Sequence, residues 1–336
     1  MLIIVLYSHP QSSGPVLGDR RKNMTLCPGL VLGTAQLGLR YGIANTTGMP
    51  AQSAAYDLIA AAVAEGVTEI DTARAYGDSE RRIGIALETI ADSGIHVITK
   101  LAPLTHLPLA ADAVAAAQAS LAASRAALSR PLLDTLLLHR AEDRLNWDGA
   151  VWDLLRSEKI TGRIGRLGVS AQNPAEALQA LDDPSVVHLQ FPYNVLDSRW
   201  HDAGVVDKLR SRPDVTIHTR SALLQGLLTL PQVGPWPGID AQSTAKVCDS
   251  LKALAMNFRG GDVVDLCVAF VRSHAWIDGV VMGMETIGQL RANLDLFSRP
   301  PLDQSQVAAV RAAFSGLPAA LLNPAEWPAV PSKQDQ

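Results

Sequence analysis

Asp71, Tyr76, Lys100 and His139 are four side chains that, brought together, can move a proton onto a carbonyl oxygen. Tyr76 lies in the stretch Ile70-Asp71-Thr72-Ala73-Arg74-Ala75-Tyr76-Gly77-Asp78-Ser79-Glu80. The apolar lead Val67–Ile70 breaks there into polar and glycine residues, the pattern of a strand running into a loop. A phenol titrates near 10, so it needs help to give up a proton at neutral pH. A nearby cation supplies that help by favouring the phenolate. Lys100, ending Val-Ile-Thr-Lys, is the candidate cation, and Asp71 would keep it charged and oriented. His139, ending Leu-Leu-Leu-His, would orient and polarise the carbonyl. Each residue alone has a simpler role: packing for the tyrosine, a solvated edge for the lysine, a satisfied core position for the histidine, a loop cap for the aspartate. The chemical reading rests on all four falling at the ends of successive strands or just beyond.

The elements that must position them follow from hydrophobic patterning. Strands are expected at 30–36, 68–72, 96–100, 133–139, 164–170, 186–192, 215–221 and 278–283. Helical patterns lie between them at 52–65, 78–91, 109–128, 148–159, 174–181, 201–210, 243–257, 262–273 and 286–297. Asn173-Pro174 and Asp262 read as helix starts. Eight strands each followed by a helical segment give either a (β/α)8 barrel or an open doubly wound sheet. The first strand ends Gly33-Thr34-Ala35-Gln36-Leu37-Gly38, which lacks the G-x-G-x-x-G of a dinucleotide-binding open sheet. Polar residues instead close several different strands, where a barrel keeps its active site. The expectation is therefore α/β, a single (β/α)8 TIM barrel over 27–315. Residues 1–26 read as a poorly ordered N-terminal extension, with Met24 a candidate natural start, and 316–336 as an irregular tail. The Pro/Gly-rich 231–243 reads as a long loop.

Composition narrows the function classes. The chain has 336 residues, 48% hydrophobic and 18% charged, with net charge −4, so no basic surface argues for nucleic acid or an anionic membrane. Aromatic residues, at 5%, are too sparse for a base-stacking surface. Three widely spaced cysteines (Cys27, Cys248, Cys267) fit a reducing compartment and show no metal-ligand spacing. The apolar run at the N-terminus is short and has no preceding Lys or Arg, and nothing approaches the roughly 18 apolar residues of a membrane span. A cytoplasmic protein without bound metal is expected.

The chain resembles the aldo/keto reductases over about residues 28–300. The family's opening Gly-Thr stands at Gly33-Thr34, its D-T-A-x-x-Y-G-x-S-E segment at Asp71–Glu80, and its Asp/Tyr/Lys/His tetrad at Asp71, Tyr76, Lys100 and His139. The resemblance implies a nicotinamide cofactor bound in extended form on a barrel. Ser170 and Gln190 resemble the pair that hydrogen-bonds the nicotinamide carboxamide, with Asn194 in the same pocket. Gly283-Met284-Glu285-Thr286-Ile287-Gly288-Gln289-Leu290-Arg291-Ala292-Asn293 resembles the phosphate and adenosine region, with Gln289 and Asn293 on the adenine side. Backbone N–H groups at a helix start suit phosphates. Gly33, Thr34, Asp71 and Gly283 complete the expected cofactor set.

Two departures carry information. Met284 and Glu285 stand where many relatives place basic or hydroxyl residues toward a 2′-phosphate. A carboxylate disfavours that phosphate and can accept from a free ribose hydroxyl, so NAD(H) is expected over NADP(H). Arg220, in Val-Thr-Ile-His-Thr-Arg-Ser, stands where many relatives place an aromatic residue against the nicotinamide. A guanidinium can stack there, and its charge would favour the neutral reduced ring over the cationic oxidised one. Trp200 and Trp236 are candidate walls for substrate.

These readings converge on NAD(P)H-dependent interconversion of a small carbonyl or sugar and an alcohol. The alternative is a regulatory protein of this fold that binds NADH as a signal and controls a protein partner, as in the bacterial cell-division regulator and the channel subunits that resemble reductases. A barrel metalloenzyme has little support, because no His/carboxylate cluster has ligand spacing.

Overall fold

A computed structural model describes residues 29–324, apart from 44, 46–47, 91–93 and 231–233, together with Trp327. The extension 1–26, Met24 and Cys27 lie outside the described residues. Eight parallel strands close into a barrel in chain order. They are β1 (Gly29–Gly33), β2 (Glu69–Asp71), β3 (His96–Lys100), β4 (Leu133–Leu138), β5 (Ile164–Ser170), β6 (His188–Pro192), β7 (Thr216–Arg220) and β8 (Gly279–Gly283). β1 pairs with both β2 and β8, so Gly33 faces Asp71 on one side and Gly283 on the other. Closure removes both sheet edges and brings eight strand ends to one face.

The helices form the outer layer, each burying one stripe. Ala110–Ala127 buries Ala113, Ala117 and Leu121 and leaves much of its alanine-rich surface exposed. Local sequence sets several helix starts. Asn173 accepts from the Glu176 amide with Pro174 at the first helical position. Asp262 caps Val263–Arg272 by accepting from the Asp265 amide.

Alternate residues of β8 mark three levels inside the barrel. Gly279 pairs with His218 at the floor, where a methyl on the glycine would sit 2.8 Å from the His218 Nε2. Val281 packs against Val31, Ile98 and Leu137, an apolar plug separate from the main core. Gly283 reaches the open face and lines a cleft there. The floor is unusually polar. His188 and His218 meet edge to face at 4.4 Å, His218 lies 3.3 Å from Glu69, and His96 bonds Thr135 at 2.7 Å.

The strands fall where the patterning put them, and the differences have local causes. The first strand stops at Gly33, because a short helix Ala35–Gly38 follows. The run 201–210 divides into Arg199–Asp202 and Val205–Arg210 at Gly204, whose φ of 78° breaks the helix. Helix Gln304–Ala313 was not anticipated; its capping box of Asp303 and Gln306 is a signal that could have found it. Beyond residue 315 a short helix, Ala319–Leu322, buries Leu321 and Leu322, where only irregular chain was expected.

Candidate active site

The ends of β2, β3 and β4 bring the four expected residues into one neighbourhood. Lys100 is 1% exposed, and its Nζ donates to both Asp71 carboxylate oxygens at 2.7 Å and to the Thr72 carbonyl at 3.0 Å. Its three donors are therefore spent. It stands over the Tyr76 ring, 5.1 Å from the centroid. The His139 ring meets Tyr76 edge to face, with centroids 5.9 Å apart and planes at 88°. His139 is held down to about 3 by burial and then by the charges of Lys100, Arg220 and Arg140, so its imidazole is neutral throughout the ordinary pH range. Its Nδ1 has no partner among the described residues.

A network of buried hydroxyls fixes the loop that carries Tyr76. Thr72 donates to Ser79 at 3.0 Å, Ser79 donates toward Thr34 at 2.8 Å, and Thr34 donates to the Asp71 carbonyl at 2.7 Å. Glu80, fully buried, accepts from Thr99 and Arg74, both at 2.6 Å. Thr99 precedes Lys100, and the Arg74 amide donates to the Lys100 carbonyl at 3.0 Å. The Asp71–Glu80 segment is thus stitched to β1 and β3 by its own polar side chains.

A cleft of about 350 Å³ opens on this face and runs from Asp71 and Tyr76 toward β8 and the helix Ile287–Ser298. Of the expected cofactor residues, Gly33, Thr34, Asp71 and Arg220 line one part of it. Gly283, Glu285, Gln289 and Asn293 line the other. Lys100 and His139 do not line it, and neither do Ser170, Gln190 and Asn194. Gln190 is wholly buried and donates its amide to Asp71 at 2.7 Å, leaving its Oε1 without a partner among the described residues. Asn194 is likewise buried, with its side-chain oxygen accepting from the Leu196 amide and its Nδ2 unpartnered among those residues. These orphaned acceptor and donor atoms are the chemistry a carboxamide would answer.

Arg220 reaches the cleft with its guanidinium held by Gln172 at 2.7 Å. Gln289 spends its amide locally. Its Oε1 accepts from the Glu285 amide at 2.6 Å and from the Thr286 amide at 3.3 Å, the second closing a capping box in which the Thr286 hydroxyl accepts from the Gln289 amide, and its Nε2 faces the Glu285 carboxylate at 3.4 Å.

Three participants escaped the sequence reading. Gln172 carries no motif that marks it as a partner of Arg220. Tyr41, in the loop after β1, lines the cleft near Tyr76, Arg220 and Gln225. Its phenol is pushed up first by burial of its polar end and then by Tyr76, although 38% of the residue remains exposed. The loop after β7 also lines the cleft in strained form, with Ser221 at φ 63° and Gln225 at φ 55°. The two tryptophans are corrected. Trp200 is fully buried, stacked on Phe191 at 4.1 Å, and its indole donates to Asp197. Trp236 is 6% exposed, and neither residue lines the cleft.

The sequence profile of the aldo/keto reductase family matches residues 29–314, and the chain belongs to that family. The fold is similar to that of the holo form of the aldo-keto reductase AKR11C1 from Bacillus halodurans, at 20% identity and TM-score 0.67, covering 88% of this chain and 94% of that one. It is also similar to a Pseudomonas aeruginosa protein assigned to the aldo-keto reductases, at 19% identity and TM-score 0.54, covering 86% and 92%. Among curated proteins none matches this sequence. Among the described residues no helix is long and apolar enough to cross a membrane, and no group of His, Cys, Asp and Glu could hold a metal.

Proposed function

We propose that this chain interconverts a small carbonyl compound, an aldehyde, ketone or aldose, and its alcohol with a nicotinamide cofactor, and that Tyr76 is the proton donor. The observation that carries this reading is the setting of Tyr76. Its ring lies on the cleft wall with the Lys100 ammonium over its face and the neutral His139 ring edge to face with it. When bound, the nicotinamide supplies or accepts the hydride. Tyr76 Oη delivers a proton to the carbonyl oxygen, and the His139 imidazole, being neutral, donates a hydrogen bond to that same oxygen. Lys100 favours the phenolate through space, since its own donors are engaged by Asp71 and Thr72. The Asp71 carboxylate offsets part of that field, and in return it fixes the ammonium in place.

The side chains on the cleft and behind it suit the cofactor by their chemistry. Arg220 beside the ring favours the reduced form, and Gln172 keeps the guanidinium aimed. Glu285, at the start of the helix Ile287–Ser298, favours an unphosphorylated ribose and hence NAD(H). Gln190 and Asn194 lie behind the cleft lining and not in it; their unpartnered Oε1 and Nδ2, with Ser170, would answer the carboxamide of a ring that reaches that depth.

The test is turnover on a panel of aldehydes, ketones and aldoses with NADH and NADPH. Native protein turns over at least one of them, and Tyr76→Phe lowers kcat by about 10²–10⁴-fold. Native turnover in Tyr76→Phe would remove the proton-donor role. Tight binding of reduced cofactor with no turnover on any member would favour the second reading, which the charged Arg220 supports: a sensor of reduced cofactor acting on a protein partner.

A further inference from the structure

We infer that Gly38 is a positioning residue for the Tyr76 hydroxyl, an inference that rests on the proton-donor reading above. The short helix Ala35–Gly38 lies directly on the turn that follows Tyr76. A methyl built on Gly38 would overlap the Tyr76 carbonyl oxygen and fall 2.6 Å from the Ser79 amide nitrogen and 2.9 Å from the Ser79 Cβ. The contact is reciprocal. A methyl on Gly77, whose φ is +54°, would run into the Gly38 carbonyl oxygen and fall 3.1 Å from a Leu39 methyl. Two backbones therefore touch with no side chain between them, and the second begins at the residue that carries the phenol.

This contact cannot yield by rotating a side chain, because both partners are main chain. Nor can the turn slide away freely. Its Ser79 amide donates to the Tyr76 carbonyl at 3.0 Å, and the Tyr76 amide donates to the Ala73 carbonyl at 3.0 Å. Ser79 also ties the turn to Thr34, the residue just before the short helix, through a fully buried hydroxyl. Gly38 and Thr34 thus flank one small block that holds the turn at both ends: close backbone contact at one and a hydrogen bond at the other. Adding one carbon at Gly38 forces the Tyr76 backbone to retreat by roughly an ångström, and a displacement of that size costs about 100-fold in a positioned reaction. Gly38 itself does not line the cleft, whereas Thr34, Ala35 and Gln36 of the same block do, so the cofactor Kd separates an effect passed through Tyr76 from one passed through the cleft wall.

Two readouts test the assignment. In the first, Cζ-¹³C-tyrosine spectra of the full chain are recorded with and without NADH. The Tyr76 resonance is identified by its loss in Tyr76→Phe. It moves in Gly38→Ala, and less in Ser79→Ala, while those of Tyr56 and Tyr193 hold still. In the second, Gly38→Ala lowers kcat about 100-fold in the native background but less than threefold in Tyr76→Phe, with the Kd for cofactor unchanged, because both changes act on one hydroxyl. An unmoved Tyr76 resonance overturns the inference, as does a Gly38→Ala loss equally large in both backgrounds. If Gly38→Ala does not fold, Ser79→Ala carries the same two readouts with a loss of about tenfold. Native turnover in Tyr76→Phe would overturn the proton-donor reading instead. The movement of the Tyr76 resonance would still decide whether Gly38 positions it.

Discussion

Lys100 and Asp71 form a closed pair: the ammonium sits 2.7 Å from both carboxylate oxygens, and both residues are almost wholly buried. The third ammonium proton goes to the Thr72 carbonyl, and Gln190 donates to the same carboxylate from across the barrel. The lysine therefore stands toward Tyr76 as a charge above the ring, with its hydrogen bonds directed to Asp71 and Thr72. Removing one partner leaves the other charged and buried, which costs about 3–5 kcal/mol in comparable sites. Asp71→Asn should lower both the urea midpoint and kcat, with cofactor affinity falling less than kcat. A variant with the native midpoint would show that Lys100 loses its proton readily and that the pair holds little of the fold together.

The neutral state of His139 makes a distinct prediction about pH. Burial is the first cause of its pKa near 3, with Lys100, Arg220 and Arg140 adding to it. A group with that value contributes no ionisation to the profile between about pH 5 and 8. The kcat/KM profile should therefore lack a step near 6.5, and His139→Gln, which keeps a neutral donor, should retain more activity than His139→Ala. A step near 6.5 that disappears in His139→Gln would mean the imidazole is charged in the free protein.

The positions of these groups were open to the sequence to different degrees. Asp71, Lys100 and His139 each close or follow an apolar run, so strand periodicity alone places them on one face once the barrel is assumed. The Gln190–Asp71 bond joins residues 119 positions apart and depends on how β6 and β2 face each other across the barrel, which no local pattern encodes. Gln289 suits a ligand by its residue type, but its spacing from Thr286 also writes a capping box, and the backbone claims its side-chain oxygen. Trp200 looked like a wall because tryptophan suits one, but Asp197 three residues earlier offers a partner for its indole nitrogen, and the side chain turns inward. Gly38 was invisible in composition because its importance lies in an absent carbon.

Arg220 and Gln172 should set the cofactor's redox bias. The guanidinium charge repels the cationic oxidised ring and not the neutral reduced one, so the native protein should bind NADH more tightly than NAD⁺. Arg220→Ala should shrink that ratio about tenfold, mainly by improving NAD⁺ binding. Gln172→Ala, which frees the guanidinium from its 2.7 Å tether, should shrink it by a smaller factor. Fluorescence titration with both forms measures the ratio directly. Equal affinities in the native protein would place Arg220 away from the ring.

Glu285 should govern the choice between the two cofactors. Its carboxylate stands at the cleft beside a helix start that otherwise suits phosphate, so it opposes a second negative group there. Glu285→Ser should tighten NADPH about tenfold, roughly 1.4 kcal/mol, and change NADH by less than threefold. Tighter NADPH than NADH binding in the native chain would reverse the assignment.

The barrel floor predicts sensitivity to acid that is independent of the reaction. His188 is fully buried with neither ring nitrogen partnered among the described residues, and burial, followed by the nearby His218 and Arg166, holds its pKa well below the usual value. His96 is lowered as well, by burial first. Glu69 is lowered although burial, its largest single influence, pushes it up, because the hydrogen bond with His218 and the nearby basic side chains of His218, His96 and Arg166 together outweigh it. The signs agree. A histidine kept neutral in the fold binds fewer protons than the unfolded chain below about pH 6.5, so stability falls as pH drops through that value, by about 1.4 kcal/mol per pH unit per histidine. Glu69 adds loss in the same direction once pH falls below about 4.3, where the unfolded carboxylate takes a proton first. The urea midpoint should therefore drop between pH 7.5 and 5.5, and His188→Gln should flatten the slope without touching kcat at pH 7.5. The same slope in His188→Gln as in the native chain would shift the cause to another group, with His274, held at about 4 by burial among the aromatic side chains around Tyr193, the next to test.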